Sequence, residues 1–374
     1  MAGWGALRLE VAPLRRVRVG ILFGGRSGEH EVSLASARSV LAALDPERFE
    51  PILIGITRNG RWLRPADAKA ALTGGADAAG GDSPLLAAAL PSSVSVAEGL
   101  DGTGVDVVFP VLHGPNGEDG TIQGFLELAG VPYVGAGVLG SALAMDKGAM
   151  KDAFRTHGLP TPEYEVVRRG QWEADREEVA AHLERRFGLP CFIKPCNLGS
   201  SVGISKARDR GELAVAMDLA ASYDRRILVE AFVPQAREIE CSVLGNDDPI
   251  ASLPGEAIPA GEWYDYRAKY EDEGLRLEIP ARLAPGVADR IQALAVRVFE
   301  ALDLAGMARV DFFLRRDTGD LLVNEANTIP GFTPTSMYPK MWEASGLPYR
   351  DLVSRLIELA LERAEDRARR RFDR

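Results

Sequence analysis

Apolar runs that stop at glycine set the rhythm of the first third of the chain. VRVGILFGG (17–25) predicts a buried strand running into a glycine turn. Ser33 is then a candidate cap for a helix through Leu44, with Leu34, Ala37, Leu41 and Leu44 on one stripe. PILIGIT (51–57) and VDVVFPVLHG (105–114) predict two further strands, the second ending in a loop that carries His113. Strand, turn, helix, strand is the opening of a parallel α/β sheet, which places ligands at the carboxyl ends of its strands. The loops at 24–31 and 113–120 are therefore expected to be neighbours. Between them, residues 66–104 turn rich in Ala, Gly and Ser with weak periodicity and read as a long surface connection.

The pattern changes after Gly135. Residues 146–157 predict a helix ended by Gly158 and Pro160. Short strands and helices then alternate: EYEVV, a helix over 174–187, CFIKP, SVGISK, a helix over 210–222 and RILVEAFV. The last third holds the strand REIECSVLG, a Gly/Pro/Tyr-rich loop at 254–274 and a helix from Pro285 to Asp303. Paired strands at 307–315 and 320–327 follow, and then a helix from 351 onward.

Composition narrows the class. The chain has 374 residues, 46% hydrophobic and 26% charged, which excludes wholesale disorder and suggests two or three domains. A net charge of −10 disfavours a nucleic-acid binder held by phosphate contacts. Three cysteines without metal-ligand spacing fit a reducing cytosol. No apolar run approaches the roughly 20 residues that span a bilayer, and the first sixteen residues do not read as a signal peptide. The expectation is a cytoplasmic protein with neither nucleic-acid nor membrane partner.

Two segments carry chemistry. In MARVDFFLRRDTGDLLVNEAN, a three-residue hairpin loop Asp317–Gly319 sets Arg316 opposite Asp320 and, counting back, Asp311 opposite Glu325. Alternation then puts Arg309 beside Asp311 and Asn327 beside Glu325, so one patch holds two carboxylates, an amide oxygen and a guanidinium. All-oxygen ligands suit Mg²⁺, whereas the same set also makes a structural salt-bridge face; the residues alone leave both open. In KPCNLGSSVGISK (194–206), Lys194 precedes a turn of small residues whose backbone N–H groups suit phosphate. It has neither the Walker spacing nor a following helix, and a plain hairpin turn is the alternative.

Taken in order, GGRSGEHEVSL, LHGPNGEDG, AMDK, IKPCNLGSSVGISK, ILVEAFV, REIECSVLG, YDYRAKY, ARVDFF and NEANTIPGFTPTSMYP resemble the D-alanine–D-alanine ligase family of the ATP-grasp superfamily, from about Val17 to about Leu361. The resemblance implies an α/β and α+β protein, a Rossmann-like N-terminal domain followed by a two-lobed ATP-grasp fold. The corresponding partition is an extension at 1–16, the N-terminal substrate domain at 17–135, a central lobe at 136–229 and a C-terminal lobe at 230–374. It implies that ATP phosphorylates the carboxylate of one D-alanine and that the amine of a second attacks the acyl phosphate, for peptidoglycan precursors.

By motif, Asp311, Glu325 and Asn327 resemble ligands of two Mg²⁺ (or Mn²⁺) ions. Lys147 and Lys194 resemble phosphate-contacting lysines, and Ser200 and Ser201 a lid over the γ-phosphate. Glu230 and the backbone at Ala231 and Val233 would hold adenine, with Glu238 on the ribose. Glu29 would anchor the first substrate's ammonium, with His113 beside that substrate. Arg309 and the Gly331 N–H would be oxyanion donors, and Ser336 and Met337 would receive the second substrate's carboxylate. Lys269 and Tyr270 lie on the closing loop, with Tyr270 linked to Glu29 and Ser200. Cys196, Ala231 and Ala326 depart from the family pattern. The family implies a homodimer. The competing readings are a D-alanine–D-lactate ligase, another ATP-grasp carboxylate–amine ligase, and a nucleotide-binding regulator without catalysis.

Overall fold

The structure is a computed structural model, and it describes residues 15–63, 65–74, 104–199, 202–258, 276–333 and 335–371. The first sheet is parallel, in the order β2-β1-β3, from β1 (Val17–Gly24), β2 (Phe49–Ile56) and β3 (Val107–Pro110). Helix His30–Ala43 follows β1. Ser33 is not its cap: the chain enters the helix at Glu29, whose carbonyl accepts from Ser33 N at 3.0 Å. The buried Ser33 hydroxyl instead accepts from Gly24 N and donates to the Val111 carbonyl, joining the ends of β1 and β3. Within the span 66–104, helix Pro65–Thr73 packs on β2; residues 75–103 of that connection, like residues 1–14, lie outside the described residues.

The second sheet has order β4-β7-β5-β6 and is antiparallel throughout, from β4 (Tyr164–Arg168), β5 (Cys191–Pro195), β6 (Ser205–Ala207) and β7 (Arg226–Ala231). The helix expected over 174–187 starts two residues later, because Asp175 caps Arg176–Phe187 by accepting from Glu178 N at 3.1 Å. That helix and Arg210–Tyr223 close a core around Leu183, Ile193, Leu213, Met217 and Val229.

The third sheet runs β11-β10-β8-β12-β13, with β9 also on β8. Its strands are β8 (Ala236–Gly245), β9 (Ile250–Ala251), β10 (Gly255–Ile258), β11 (Arg276–Glu278), β12 (Gly306–Arg315) and β13 (Leu321–Asn327). Packing groups the chain differently from its linear order. Met150 and Phe154, on helix Lys147–Thr156, enter the core of this third sheet with helix Val287–Ala301. Helices Met337–Ala344 and Tyr349–Ala368 share one core with β1 and β3: Tyr338, Trp342, Leu356 and Ile357 lie with Val19, Ile21, Phe23 and Phe109.

The β12–β13 hairpin pairs Asp311 with Glu325 and Arg309 with Asn327, as counting predicts, but by another route. At the turn Arg315 N donates to Asp320 O at 2.9 Å, so Arg315, not Arg316, faces Asp320. The frame is therefore one residue off until a bulge between Phe312 and Asp311 takes up Asn324. The bulge also flips the alternation: Leu321 and Val323 face the core, then Ala326 does, which turns Glu325 and Asn327 to the other face.

Where β1 ends, Gly24 has φ +92° and a Cβ would stand 2.1 Å from the Ile56 carbonyl oxygen. Gly24→Ala is expected to destabilise the first sheet by at least about 2 kcal/mol. The check is the urea midpoint, and an unchanged midpoint would mean that the turn tolerates a side chain.

Candidate active site

Three segments meet at Glu29, which stands at the N-terminal end of helix His30–Ala43. A Cβ on Gly114 would lie 2.8 Å from Glu29 Oε2, and one on Gly199 would lie 2.9 Å from the same atom. The loops after β1, β3 and β5 therefore converge on one carboxylate at a helix N-terminus, where negative charge is favoured. Only glycine allows the close approach, and Gly114 also has φ +79°.

His113 is buried and ties this corner to the far end of the chain. Its Nδ1 lies 3.1 Å from Ile329 O and its Nε2 3.2 Å from Ser36 Oγ. Burial by itself would lower its pKa; the hydrogen bond and charge of Glu118, with Glu29 adding to them, outweigh burial and raise it. Beyond Ile329, Gly331 faces Ser336: a Cβ on Gly331 would lie 2.7 Å from Ser336 Oγ, which also accepts from Thr333 N at 3.0 Å. Met337 opens the following helix, and its buried side chain packs on Gly255.

On the third sheet, Arg309 gives a two-pronged hydrogen bond to Asp311, both contacts 2.7 Å, and its Nε also lies 3.0 Å from Glu240 Oε2. Asn327 Nδ2 donates to Asp311 Oδ2 at 3.1 Å. Glu325 Oε2 lies 3.9 Å from Lys147 Nζ, which donates to the Leu198 carbonyl at 2.7 Å. Among the described residues no three His, Cys, Asp or Glu side chains form a metal cluster. Two carboxylates and an amide oxygen on one face instead fit a hard cation that takes its remaining ligands from water and phosphate.

The second sheet supplies a buried ionic set. Lys194 Nζ donates to Glu230 Oε2 at 2.6 Å, and Lys151 is ion-paired to Glu230 Oε1. Burial would raise the Glu230 carboxyl, and the two lysines overcome it and hold the group below its ordinary value. Burial likewise acts to lower Lys194, and Glu230 and Glu325 carry it above its ordinary value. For Lys151 burial prevails and lowers it. Ala231 N donates to Glu163 O at 2.9 Å, Val233 follows β7, and Glu238 pairs with Phe313 across β8 and β12, two residues from Glu240. Ser200, Ser201, Lys269 and Tyr270 lie outside the described residues.

Sequence reasoning missed Lys151, Glu240 and Glu118. A signal existed for two of them: Lys151 follows Lys147 by one helical turn, and Glu240 follows Glu238 by one strand repeat. Glu118 needs the fold, since only the loop geometry brings its Oε2 within 3.0 Å of Gly114 N.

Because the folded His113 pKa is raised, its stabilising contribution is full below the unfolded value of 6.5 and is lost as pH rises through the folded value. Urea midpoints of the wild type minus those of His113→Gln should therefore fall as pH rises above about 6.5. A difference that stays flat with pH would remove the charge coupling to Glu118.

Comparison with known proteins agrees over nearly the whole chain. The D-ala D-ala ligase N-terminus model matches residues 18–136, and the D-ala D-ala ligase C-terminus model matches residues 153–358. A D-alanine–D-alanine ligase of Natranaerobius thermophilus is 49% identical over 365 residues, covering 96% of this chain and 99% of the relative. One of Deinococcus radiodurans is 51% identical over 346 residues, covering 92% and 98%. Among solved structures, the D-alanine–D-alanine ligase of Coxiella burnetii superposes with TM-score 0.79 at 37% identity, covering 94% of this chain and 96% of that one. The VanG D-Ala:D-Ser ligase of Enterococcus faecalis gives 0.77 at 35% identity, covering 92% and 100%. With both of its halves matched and its relatives covered nearly end to end, this chain belongs to the D-alanine–D-alanine ligase family of ATP-grasp enzymes.

Proposed function

We propose that the chain joins two D-alanines, with ATP split to ADP and phosphate through an acyl phosphate, in the cleft where Glu29, His113 and the Gly331–Ser336 turn face the β12–β13 hairpin. The observation that carries this reading is the bulged register, which gathers Arg309, Asp311, Glu325 and Asn327 on one face. A ligase that forms and then aminolyses an acyl phosphate needs cation ligands and an oxyanion donor side by side. Near-complete matches to curated relatives of that name support it.

In this reading Glu29 takes the ammonium of the first D-alanine, and His113 lies beside it. Asp311, Glu325 and Asn327 would hold Mg²⁺ or Mn²⁺, which neutralises phosphate charge when bound. Lys147 and Lys194 contact the ATP phosphates, and Glu230, Ala231, Val233 and Glu238 hold the nucleoside. The Arg309 guanidinium and the Gly331 N–H face the tetrahedral centre, where donors act on charge that develops in the transition state. Ser336 and the start of helix Met337–Ala344 receive the second carboxylate. Ser200, Ser201, Lys269 and Tyr270 close the site and exclude water from the acyl phosphate.

A dipeptide for peptidoglycan precursors, a cytoplasmic location and a homodimer complete the proposal. Among the described residues no helix is long and apolar enough to cross a membrane.

The D-Ala:D-Ser specificity of the VanG ligase makes acceptor choice the second question. YDYRAKY carries Tyr270 and no histidine, so that position brings a neutral phenol rather than a group that turns cationic near neutral pH beside an incoming ammonium. D-Alanine is therefore expected to outcompete D-lactate from about pH 6 to pH 9, increasingly so as its amine deprotonates. Substantial ester product across that range would overturn this choice.

ADP release that requires added D-alanine is the direct assay; release independent of D-alanine would sink the ligase reading. Asp311→Asn and Glu325→Gln should abolish turnover with little change in melting temperature. Arg309→Lys keeps the charge but loses the planar fork, and kcat should fall by about 100-fold or more. An unchanged kcat would leave Arg309 as a structural partner of Asp311 and Glu240.

A further inference from the structure

Lys151 has no part in the site as sequence motifs draw it, yet it is the most deeply placed cation there. Its side chain is 1% exposed, against 9% for Lys194 and 11% for Lys147. Lys151 donates to two oxygens and is ion-paired to a third, each from a different segment of the chain. These are Glu230 Oε1 on β7, Thr161 Oγ1 at 2.9 Å before β4, and the Asn324 carbonyl at 3.3 Å in the β13 bulge. Lys194 holds the other oxygen of the same carboxylate. Only seven of the chain's 44 basic residues are lysines, and three of them converge here. A compact ammonium fits three acceptors arranged around a point, where a planar guanidinium would not.

Two cations on one buried carboxylate is more than the resting state requires. It becomes intelligible if one of them leaves. Resting on the reading of Lys194 as a phosphate contact, nucleotide binding draws that ammonium off Glu230 Oε2. A 2%-exposed carboxylate would then be stripped of compensation, which is strongly unfavourable unless a second cation remains. We propose that Lys151 is a positioning residue for the nucleotide: a resident counter-ion that holds Glu230 in place while Lys194 passes from Oε2 to the phosphates. The vacated Oε2 is then an acceptor for an N–H donor of the nucleobase. The same ammonium, through the Asn324 carbonyl, fixes the bulge next to Glu325, so one buried charge registers the nucleotide wall against the hairpin of the third sheet.

Calorimetric titration with MgADP tests this on four proteins: the wild type, Lys151→Met, Glu230→Gln and the double variant. Lys151→Met should weaken ADP by about 10- to 100-fold while the KM for D-alanine stays within about 2-fold. In the Glu230→Gln background, adding Lys151→Met should change ADP affinity by less than about 3-fold, because no anion is left to compensate. Equal losses in both backgrounds, or none in either, would overturn the proposal, since a merely structural lysine shows no such coupling. Failure of the wild type to bind ADP would instead overturn the nucleotide site itself. Should Lys151→Met not fold, wild-type protein labelled with ¹³C at lysine Cε gives only seven signals, assigned by Lys→Arg exchange. ADP should shift the Lys194 signal and leave that of Lys151 in place, and the reverse pattern would refute the exchange.

Discussion

One residue too many in β13 decides which side chains the β12–β13 hairpin presents on its polar face. Without the bulge at Asn324, the frame set at the Arg315–Asp320 end would carry Leu321, Val323, Glu325 and Asn327 along a single face, and that face is the core. Two ionisable or amide side chains would then replace apolar contacts with Ala308, Val310 and Phe312. The extra residue turns them out, sets Glu325 across from Asp311, and offers its own carbonyl to a buried lysine. Bulges next to active sites commonly re-aim side chains in this way. The price is local: Asn324 has no partner on β12, and its backbone oxygen is satisfied from helix Lys147–Thr156 instead.

That same hairpin shows how far the sequence could be read and where reading stops. Counting from Asp317–Gly319 reaches the true pairing of Asp311 with Glu325 because two errors cancel, a turn one residue longer and a bulge one residue deep. Alternation breaks only at the bulge and holds on each side of it, so Arg309 still shares the face of Asp311 and Asn327 that of Glu325. The role of Ser33 was not legible, because a serine three residues inside a helix looks the same whether it caps or reaches across to Val111. Nor was the packing of Met150 and Phe154 onto the third sheet, since their helix precedes the strands of the second. Glu29, His113, Gly331 and Ser336 were reached through the family resemblance of their motifs, since their glycine-rich turns alone do not tell a site from a simple change of chain direction. Lys151 did not, because a lysine on a helix ordinarily points to water.

Each of the buried cations around the hairpin is engaged by an acceptor of the chain itself. Arg309 lies against Asp311 and Glu240, Lys194 against Glu230, and Lys147 against the Leu198 carbonyl. Charges this buried need partners at all times, so the site serves as its own ligand. With these cations as the proposed phosphate contacts, binding would exchange one set of ion pairs for another rather than create them.

The shared core of the first sheet and helix Tyr349–Ala368 has a consequence for synthesis. Val19, Ile21 and Phe109 leave the ribosome long before Leu356 and Ile357, which cover them, have been translated. Arg48 waits 310 residues for its partner Glu358. During that interval the first sheet presents an uncovered apolar face, while the second sheet, whose core lies wholly between Val167 and Val229, can close as soon as it emerges. The element that is first in the chain is thus among the last to be sealed, and the nascent protein depends on whatever shields that face until its final long helix arrives.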